Sequence, residues 1–373
     1  MTMKLTESFD WLETADLPGA YSAFGHVQPT GTMTATIQES GGRNGGKCLR
    51  IIPGSSGTSY LVYNLQGKSF PTGVAGGNTV VCHFAVKVNT FHDAGLNLPF
   101  AAIASDGGNG DSLYNLILFF NSAHQITIGY SSGGSLANTR FQGTSSTVVL
   151  TGVWVHVAIK FKSSNTVGTI EVQINGVTEI GPLSSKDTLD FDSGVSALVL
   201  GATIPSSTVP SLDFDDIIIC DTTGSFNNDF LGDCILSILK PNGNGNTSNM
   251  VGSDANSTDN YLLVDDGPAP DDDTTYVESG TVGNKDTYTY ENTPAGIATI
   301  KCVTVKTLAK KVTAGAQDLK AVARSNTTET DSGALGFTTA YTARSAFYET
   351  DPDTAAAWGT TAFNAAEFGV KVA

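Results

Sequence analysis

The sequence predicts an all-β protein: a large two-sheet jelly-roll sandwich followed by a smaller β-sandwich that carries a short helix near its C-terminus. Three observations lead there. Short runs of Val, Ile, Phe and Tyr alternate with polar residues and keep no helical period beyond ten residues. The 41 glycines, with Ser, Thr, Asn and Asp, fill the segments between those runs. A 373-residue chain with 40% hydrophobic residues also has enough apolar material for two cores.

The first set of strands runs KCLRII, SYLVYNL, TVVCHFAVKV, FAAIAS, YNLILFF, QITIGYS, STVVL, WVHVAIKF, TIEVQI, ALVLGA and LDFDDIIIC. Their close spacing argues for one large sandwich over residues 1–224. In WVHVAIKFK, Val155, Val157, Ile159 and Phe161 take one face, and Trp154, His156, Ala158, Lys160 and Lys162 the other. Period-two alternation makes the first face core and the second partly wet, so His156 reads as a solvent-facing strand residue. Ile170, Val172 and Ile174 continue the inward set, and Asn175-Gly176 supplies a two-residue hairpin turn. GGRNGGK, Gly41 to Lys47, leads into a strand and reads as a hairpin loop.

After Asp221 the texture turns polar. The boundary is expected near Thr222 to Asn228, followed by the polar stretch KPNGNGNTSNMVGSDANSTDN, and a second β unit spans 225–373. Its expected strands lie in TYVESG, DTYTYEN, ATIKCVTVKTLAKKV, DLKAVARSN and TARSAFYETDP. Asp353 is the expected N-cap of a short Ala-rich turn or helix, ahead of a terminal strand Phe368 to Val372.

A net charge of -16 repels phosphate backbones and anionic lipid heads, so neither nucleic acid nor membrane insertion is expected; Lys306, Lys310 and Lys311 form the one small basic group. No apolar stretch is long enough for a spanning helix. The start, MTMKLTESFDWLETADLPG, lacks the apolar core of a signal peptide, which points to synthesis in a cytoplasm without export by the usual route. Cys48, Cys82, Cys220, Cys234 and Cys302 sit at wide, unrelated spacings and are expected to be reduced and inert.

Candidate chemistry is sparse. All five histidines, His26, His83, His92, His124 and His156, fall in the first unit, without metal-ligand spacing. The E-x-D-x-x-E strand pattern of many sandwich glycosidases does not occur. Asp213 and Asp215 share one face of LDFDDIIIC; they read as exposed acids on an edge strand, with calcium ligation as the alternative. Calcium is the possible cofactor, and its other candidate ligands are Asp106, Asn109 and Asp111 in DGGNGDS, and Asp265, Asp266, Asp271, Asp272 and Asp273 in VDDGPAPDDDTTY. No nucleophile elbow or phosphate-binding glycine loop is present.

The segments ESFDWL, GGRNGGKCLRI, WVHVAIKF, GTIEVQINGV and LDFDDIIICDTTG together resemble the laminin-G or concanavalin-A-like domains of tailed-bacteriophage structural proteins. NNDFLGD, KPNGNGNTSNMVGSD, NYLLVDD, DDDTTYV, ETDPDTAAAW and NAAEFGVKV resemble a second domain that follows in those virion proteins. The resemblance implies a non-enzymatic protein on the virion surface, in a tail fibre, baseplate or capsid decoration. Its partners would be other virion proteins and further copies of itself in a homo-oligomer. A carbohydrate-binding host-adhesion module, taking host surface glycan on Trp154, His156, Tyr130 or Tyr60, is the alternative reading, and a polysaccharide depolymerase a further one. No catalytic residue is carried over.

Overall fold

The computed structural model describes residues 3–14, 17, 34–52, 61–64, 79–91, 97–104, 114–131, 139–188, 195, 197–201, 210–267 and 270–373. Strand is the dominant regular structure of the described residues, which fall in two compact units, Thr2–Leu236 and Ser237–Ala373. The division falls after Leu236 rather than at the expected 224/225, because residues 225–236 pack onto the first unit.

In the first unit, β1 (Met3–Glu7), β2 (Thr34–Gln38), β3 (Cys48–Ile52), β5 (Thr79–Thr90), β10 (Trp154–Lys162), β11 (Gly168–Ile174), β12 (Val177–Lys186) and β14 (Ser211–Asp221) form an eight-stranded antiparallel sheet. Its order is β12-β11-β10-β5-β14-β3-β2, with β1 also pairing to β14. The facing six-stranded sheet runs β4 (Leu61–Asn64), β13 (Ala197–Leu200), β6 (Leu98–Ala104), β7 (Tyr114–Phe120), β8 (Gln125–Ser131), β9 (Thr139–Val148). Phe84 of the larger sheet meets Phe100 of the smaller at 6.4 Å between centroids and its own neighbour Phe214 at 6.1 Å, while Phe100 stacks on Phe120 at 4.0 Å. The inward set read from alternation is all buried.

Asn175 (φ 50) and Gly176 (φ 78) make the tight turn that joins β11 and β12, with Ile174 opposite Val177. GGRNGGK is the β2–β3 hairpin loop; Gly42 N–H donates to the Gly46 carbonyl at 2.9 Å. At the side of the sandwich, the Glu179 carboxylate of β12 accepts from the backbone and hydroxyls of Ser146 and Thr147 on β9. That tie closes the gap between the two sheet edges.

The second unit holds β15 (Pro241–Ser248), β16 (Val251–Gly252), β17 (Val277–Glu278), β18 (Lys285–Tyr290), β19 (Val303–Ala309), β20 (Leu319–Ser325), β21 (Thr328–Asp331), β22 (Thr342–Tyr348), α1 (Thr360–Asn364) and β23 (Glu367–Val372). A five-stranded sheet β15-β18-β23-β20-β21 packs against the β19–β22 pair, and Val305, Ala346 and Tyr348 bury against Ala321, Ala323 and Phe368. Trp358 and Phe363 fill the same core, so α1 acts as a plug. Two expectations change here. The polar stretch, which is not among the expected strands, contains the edge strand β15, where Gly245 lets the chain lie against Glu367: an added Cβ would come within 2.5 Å of its Oε2. The α1 N-cap is Gly359, and Asp353 lies in a preceding turn, where it accepts from Thr328 Oγ1 at 2.9 Å.

Candidate functional site

The chemistry-bearing residues of the first unit converge on the outer face of β5, β10 and β14. Register explains the convergence: Ala158 lies opposite His83, His156 opposite Ala85, Lys87 opposite both Trp154 and Asp213, and Asp215 opposite Ala85. These residues share the face that points away from the inter-sheet core.

That face is not wet. His83 and His156 are 0% and 1% exposed, and Ala158 is fully buried, which corrects the reading of His156 as solvent-facing. The cover is the segment Phe230–Leu236, which begins within NNDFLGD and packs over the sheet without strand pairing. Phe230 presents an edge to His83 at 6.3 Å between centroids, and Leu231 N–H points at His83 Nε2 at 3.5 Å.

Arg43 ties this segment down. Its backbone N–H donates to Asp215 Oδ2 at 2.8 Å, and its Nη1 donates to the Cys234 carbonyl at 2.8 Å and to Asp216 Oδ2 at 3.3 Å. Its Nη2 pairs with Asp233. Leu236 N–H donates to Asp216 Oδ1 at 2.7 Å. Asp216 reaches both partners because β14 carries a bulge between Asp215 and Ile218, with Asp216 at φ 52.

Burial dominates the titration here. It pushes Asp215 up to about 8, with Asp216 adding to the rise, and Asp216 up to about 6 against the opposing N–H of Leu236 and Arg43. It pushes His83 down to about 3, with His156 adding to the fall, and His156 down to about 4 despite Asp233. Both imidazoles are therefore neutral at physiological pH.

Asp213 is 0% exposed on the central strand β14, which corrects its reading as an exposed acid on an edge. Arg50 grips it through Nε at 2.6 Å and Nη2 at 2.9 Å, with Lys87 Nζ at 3.1 Å. Burial opposes ionisation of Asp213, but these donors prevail and hold its carboxyl below the usual range. Asp215 is likewise buried, held by backbone N–H groups of Arg43 and Asp216. Among the described residues no group of three or more His, Cys, Asp or Glu is placed to hold a metal ion. Asp106, Asn109 and Asp111 lie outside the described residues. In the second acidic loop, Asp273 pairs with Lys310 at 2.6 Å and accepts from Tyr341, while Asp271 accepts from Thr275.

Of the carbohydrate candidates, Trp154 is half-buried on β10, with Lys87 Nζ 4.6 Å from its ring centroid. His156 is sealed beneath the covering segment. The backbone of Tyr130 belongs to β8, in the other sheet, its side chain lies outside the described residues, and so does Tyr60. The structure does not bring the set together on one strand face. Cys48 and Cys82 are buried, with thiols pushed up to about 12 by burial, and Cys234 and Cys302 are half-buried.

Sequence reasoning missed Arg43, Asp216 and Asp233. The only signal was that GGRNGGK and NNDFLGD both stood among the segments carrying the family resemblance.

No protein-family model matches the chain. No curated protein matches it either. Solved structures do. One is endo-β-1,4-glucuronan lyase from the fungus Trichoderma reesei, at 14% identity and TM-score 0.42 over 55% of this chain and 92% of that one. A carbohydrate esterase from Shiga toxin-encoding bacteriophage phi24B matches at 17% identity and TM-score 0.37, over 58% and 99%. The binding domain of Paraclostridial Mosquitocidal Protein 1 matches at 12% and TM-score 0.36, over 52% and 44%. These likenesses are of sandwich architecture, and no residue or activity transfers through them. They do correct the expectation of a non-enzymatic chain: a lyase and an esterase stand among the similar sandwiches, so this architecture gives no ground for excluding catalysis.

Proposed function

We propose that the chain is a structural component of a tailed-phage particle, working through assembly with other virion proteins and with further copies of itself on the virion surface. One observation carries the reading. Several segments that carry the resemblance to such proteins are those that fasten the first unit. Glu7 of ESFDWL accepts from Phe9 N–H and Trp11 Nε1, each at 2.8 Å. GGRNGGK contributes Arg43, LDFDDIIIC is the central strand β14, and NNDFLGD is the cover that Arg43 holds. A sequence whose distinctive residues fix the shape of a surface suits a protein that works by presenting that surface to neighbours.

The test is mass spectrometry and side-chain-resolution imaging of gradient-purified particles of the phage that encodes the chain. The expected result is the chain in stoichiometric copy number with both units in contact with neighbours; its absence from intact particles would overturn the reading.

A second reading, recognition of host glycan, is favoured by Trp154, a half-buried indole beside Lys87, whose Nζ pairs in turn with Asp213. Binding on a glycan array that Trp154→Ala abolishes would support it, and an array without signal would count against it.

A further inference from the structure

The imidazoles on the outer face of the eight-stranded sheet have little to bond. His83 Nδ1 and both ring nitrogens of His156 are buried without a hydrogen-bond partner, and the two ring centroids are 5.4 Å apart. Unpartnered buried polar atoms of this kind cost free energy that exposure to water would relieve. The cover lies directly against the pair. Phe230–Leu236 is short, has no strand pairing of its own, and is held at a few points: Leu231 N–H on His83 Nε2 at 3.5 Å, Leu236 N–H on Asp216, and Arg43 on the Cys234 carbonyl and on Asp233, with Lys160 on the preceding Asp229 at 2.9 Å.

We propose that Phe230–Leu236 is a proton-operated strap: proton uptake by His83 and His156 lifts it from the sheet and uncovers the outer face of β5, β10 and β14. The charged groups around the pair are Lys160 from β10, Glu171 from β11, Asp215 and Asp216 from β14, Arg43 from the β2–β3 loop, and Asp229 and Asp233 from the strap. Lys87 lies further along β5. Of these charged groups only Asp233 approaches a ring nitrogen, His156 Nδ1 at 3.8 Å, and it is already engaged by Arg43. A proton on His156 therefore shares a carboxylate, and a proton on His83 faces the other imidazole. Charging both in a dry site is the state the closed strap does not accommodate.

The direction follows from linkage. Both histidines titrate lower when covered, so their contribution to closure is complete above their free value near 6.5 and is lost as pH falls through about 4 and then about 3. Asp216 opposes them: it titrates higher when covered, so opening releases its proton between the free carboxylate range and about 6. Two imidazoles against one carboxylate leave a net uptake of about one proton on opening, which raises the opening constant about tenfold per pH unit and about a hundredfold between pH 6 and pH 4. Asp215 bonds to backbone N–H groups outside the strap, so it stays covered when the strap lifts.

The experiment is amide hydrogen exchange of the full chain, followed by mass spectrometry at peptides covering 230–236 and corrected for intrinsic rates. Wild type should lose about a hundredfold in protection there from pH 6 to pH 4 while peptides from β7 and β8 stay protected. The double variant His83→Gln, His156→Gln should lose that acid dependence. Asp216→Asn, which keeps an acceptor for Leu236 N–H and removes the opposing titration, should steepen it. Equal wild-type protection at pH 6 and pH 4, or a double variant that follows wild type, would overturn the proposal. Should the double variant fail to fold, as judged by circular dichroism, the comparison of wild type with Asp216→Asn decides: an unchanged slope sinks it.

Discussion

The guanidinium of Arg43 stands 3.3 Å from the carboxylate of Asp216, a residue 173 positions further along the chain, and Asp216 is 1% exposed. The pair joins the β2–β3 loop to the bulge of β14, and the same Arg43 holds the cover over the histidines. Removing one partner of a buried pair leaves the other uncompensated, so Arg43→Ala should destabilise the first unit by about 3 kcal/mol. Arg43→Lys should recover little, because one ammonium cannot span Asp216, Asp233 and the Cys234 carbonyl. Urea unfolding followed by tryptophan fluorescence measures both, and a loss near zero for Arg43→Ala would show that the cover is held without it.

The alkaline limb of stability should trace to Asp215. Burial and the neighbouring Asp216 raise it to about 8, above its unfolded value of 3.8. A raised acid favours the fold most below the unfolded value, and that contribution disappears as pH rises through the folded one. Stability should therefore fall between about pH 4 and pH 8 in wild type, and that part of the fall should flatten in Asp215→Asn. Thermal melts across that range check it, and parallel curves for the two proteins would assign the limb to another group.

Alternation made the inter-sheet core legible: Val155, Val157, Ile159 and Phe161 are buried as read. It could not say what covers the opposite face. His156 looks wet on β10 because period two assigns a residue to a face and says nothing about whether another segment lies on top. The covering segment has only Phe230, Leu231, Ile235 and Leu236 as larger apolar residues, and its place depends on Arg43, far away in sequence. β15 escaped notice for a related reason: PNGNGNTS has no β-branched residue but Thr247, and its strand character comes from pairing with β18. Asp213 was misplaced on an edge because strand order in a sheet is long-range information; next to Arg50 and Lys87 it belongs in the middle.

Glu7 should matter far more than an N-terminal acid usually does. It is 1% exposed and accepts from Phe9 N–H and Trp11 Nε1, fixing Phe9 at φ 64. Glu7→Ala strands two buried donors at about 1–3 kcal/mol each, whereas Glu7→Gln keeps an oxygen that accepts from both. Chemical denaturation should rank wild type and Glu7→Gln close together and Glu7→Ala well below. Equal stability of all three would mean that the turn forms without this acceptor.

The second unit has its own keystone in Asp286. Its carboxylate, fully buried, accepts from Asn249 N–H at 2.7 Å, Met250 N–H at 2.8 Å, Asn260 Nδ2 at 2.5 Å and the Tyr288 hydroxyl at 3.2 Å. Those donors come from the turn between β15 and β16, the short 3-10 helix Asn260–Leu263 and β18, so one side chain gathers three parts of the chain. Its own carbonyl sits so close to Gly369 of β23 that an added Cβ would meet it at 1.9 Å, which leaves no room for any other residue there. Asp286→Ala leaves several buried donors unpaired and should cost the second unit about 3 kcal/mol or more. Each unit has a core of its own, so calorimetry should show one transition moved to lower temperature and the first unit's transition unmoved. A joint shift of both transitions would mean that the units melt as one cooperative body.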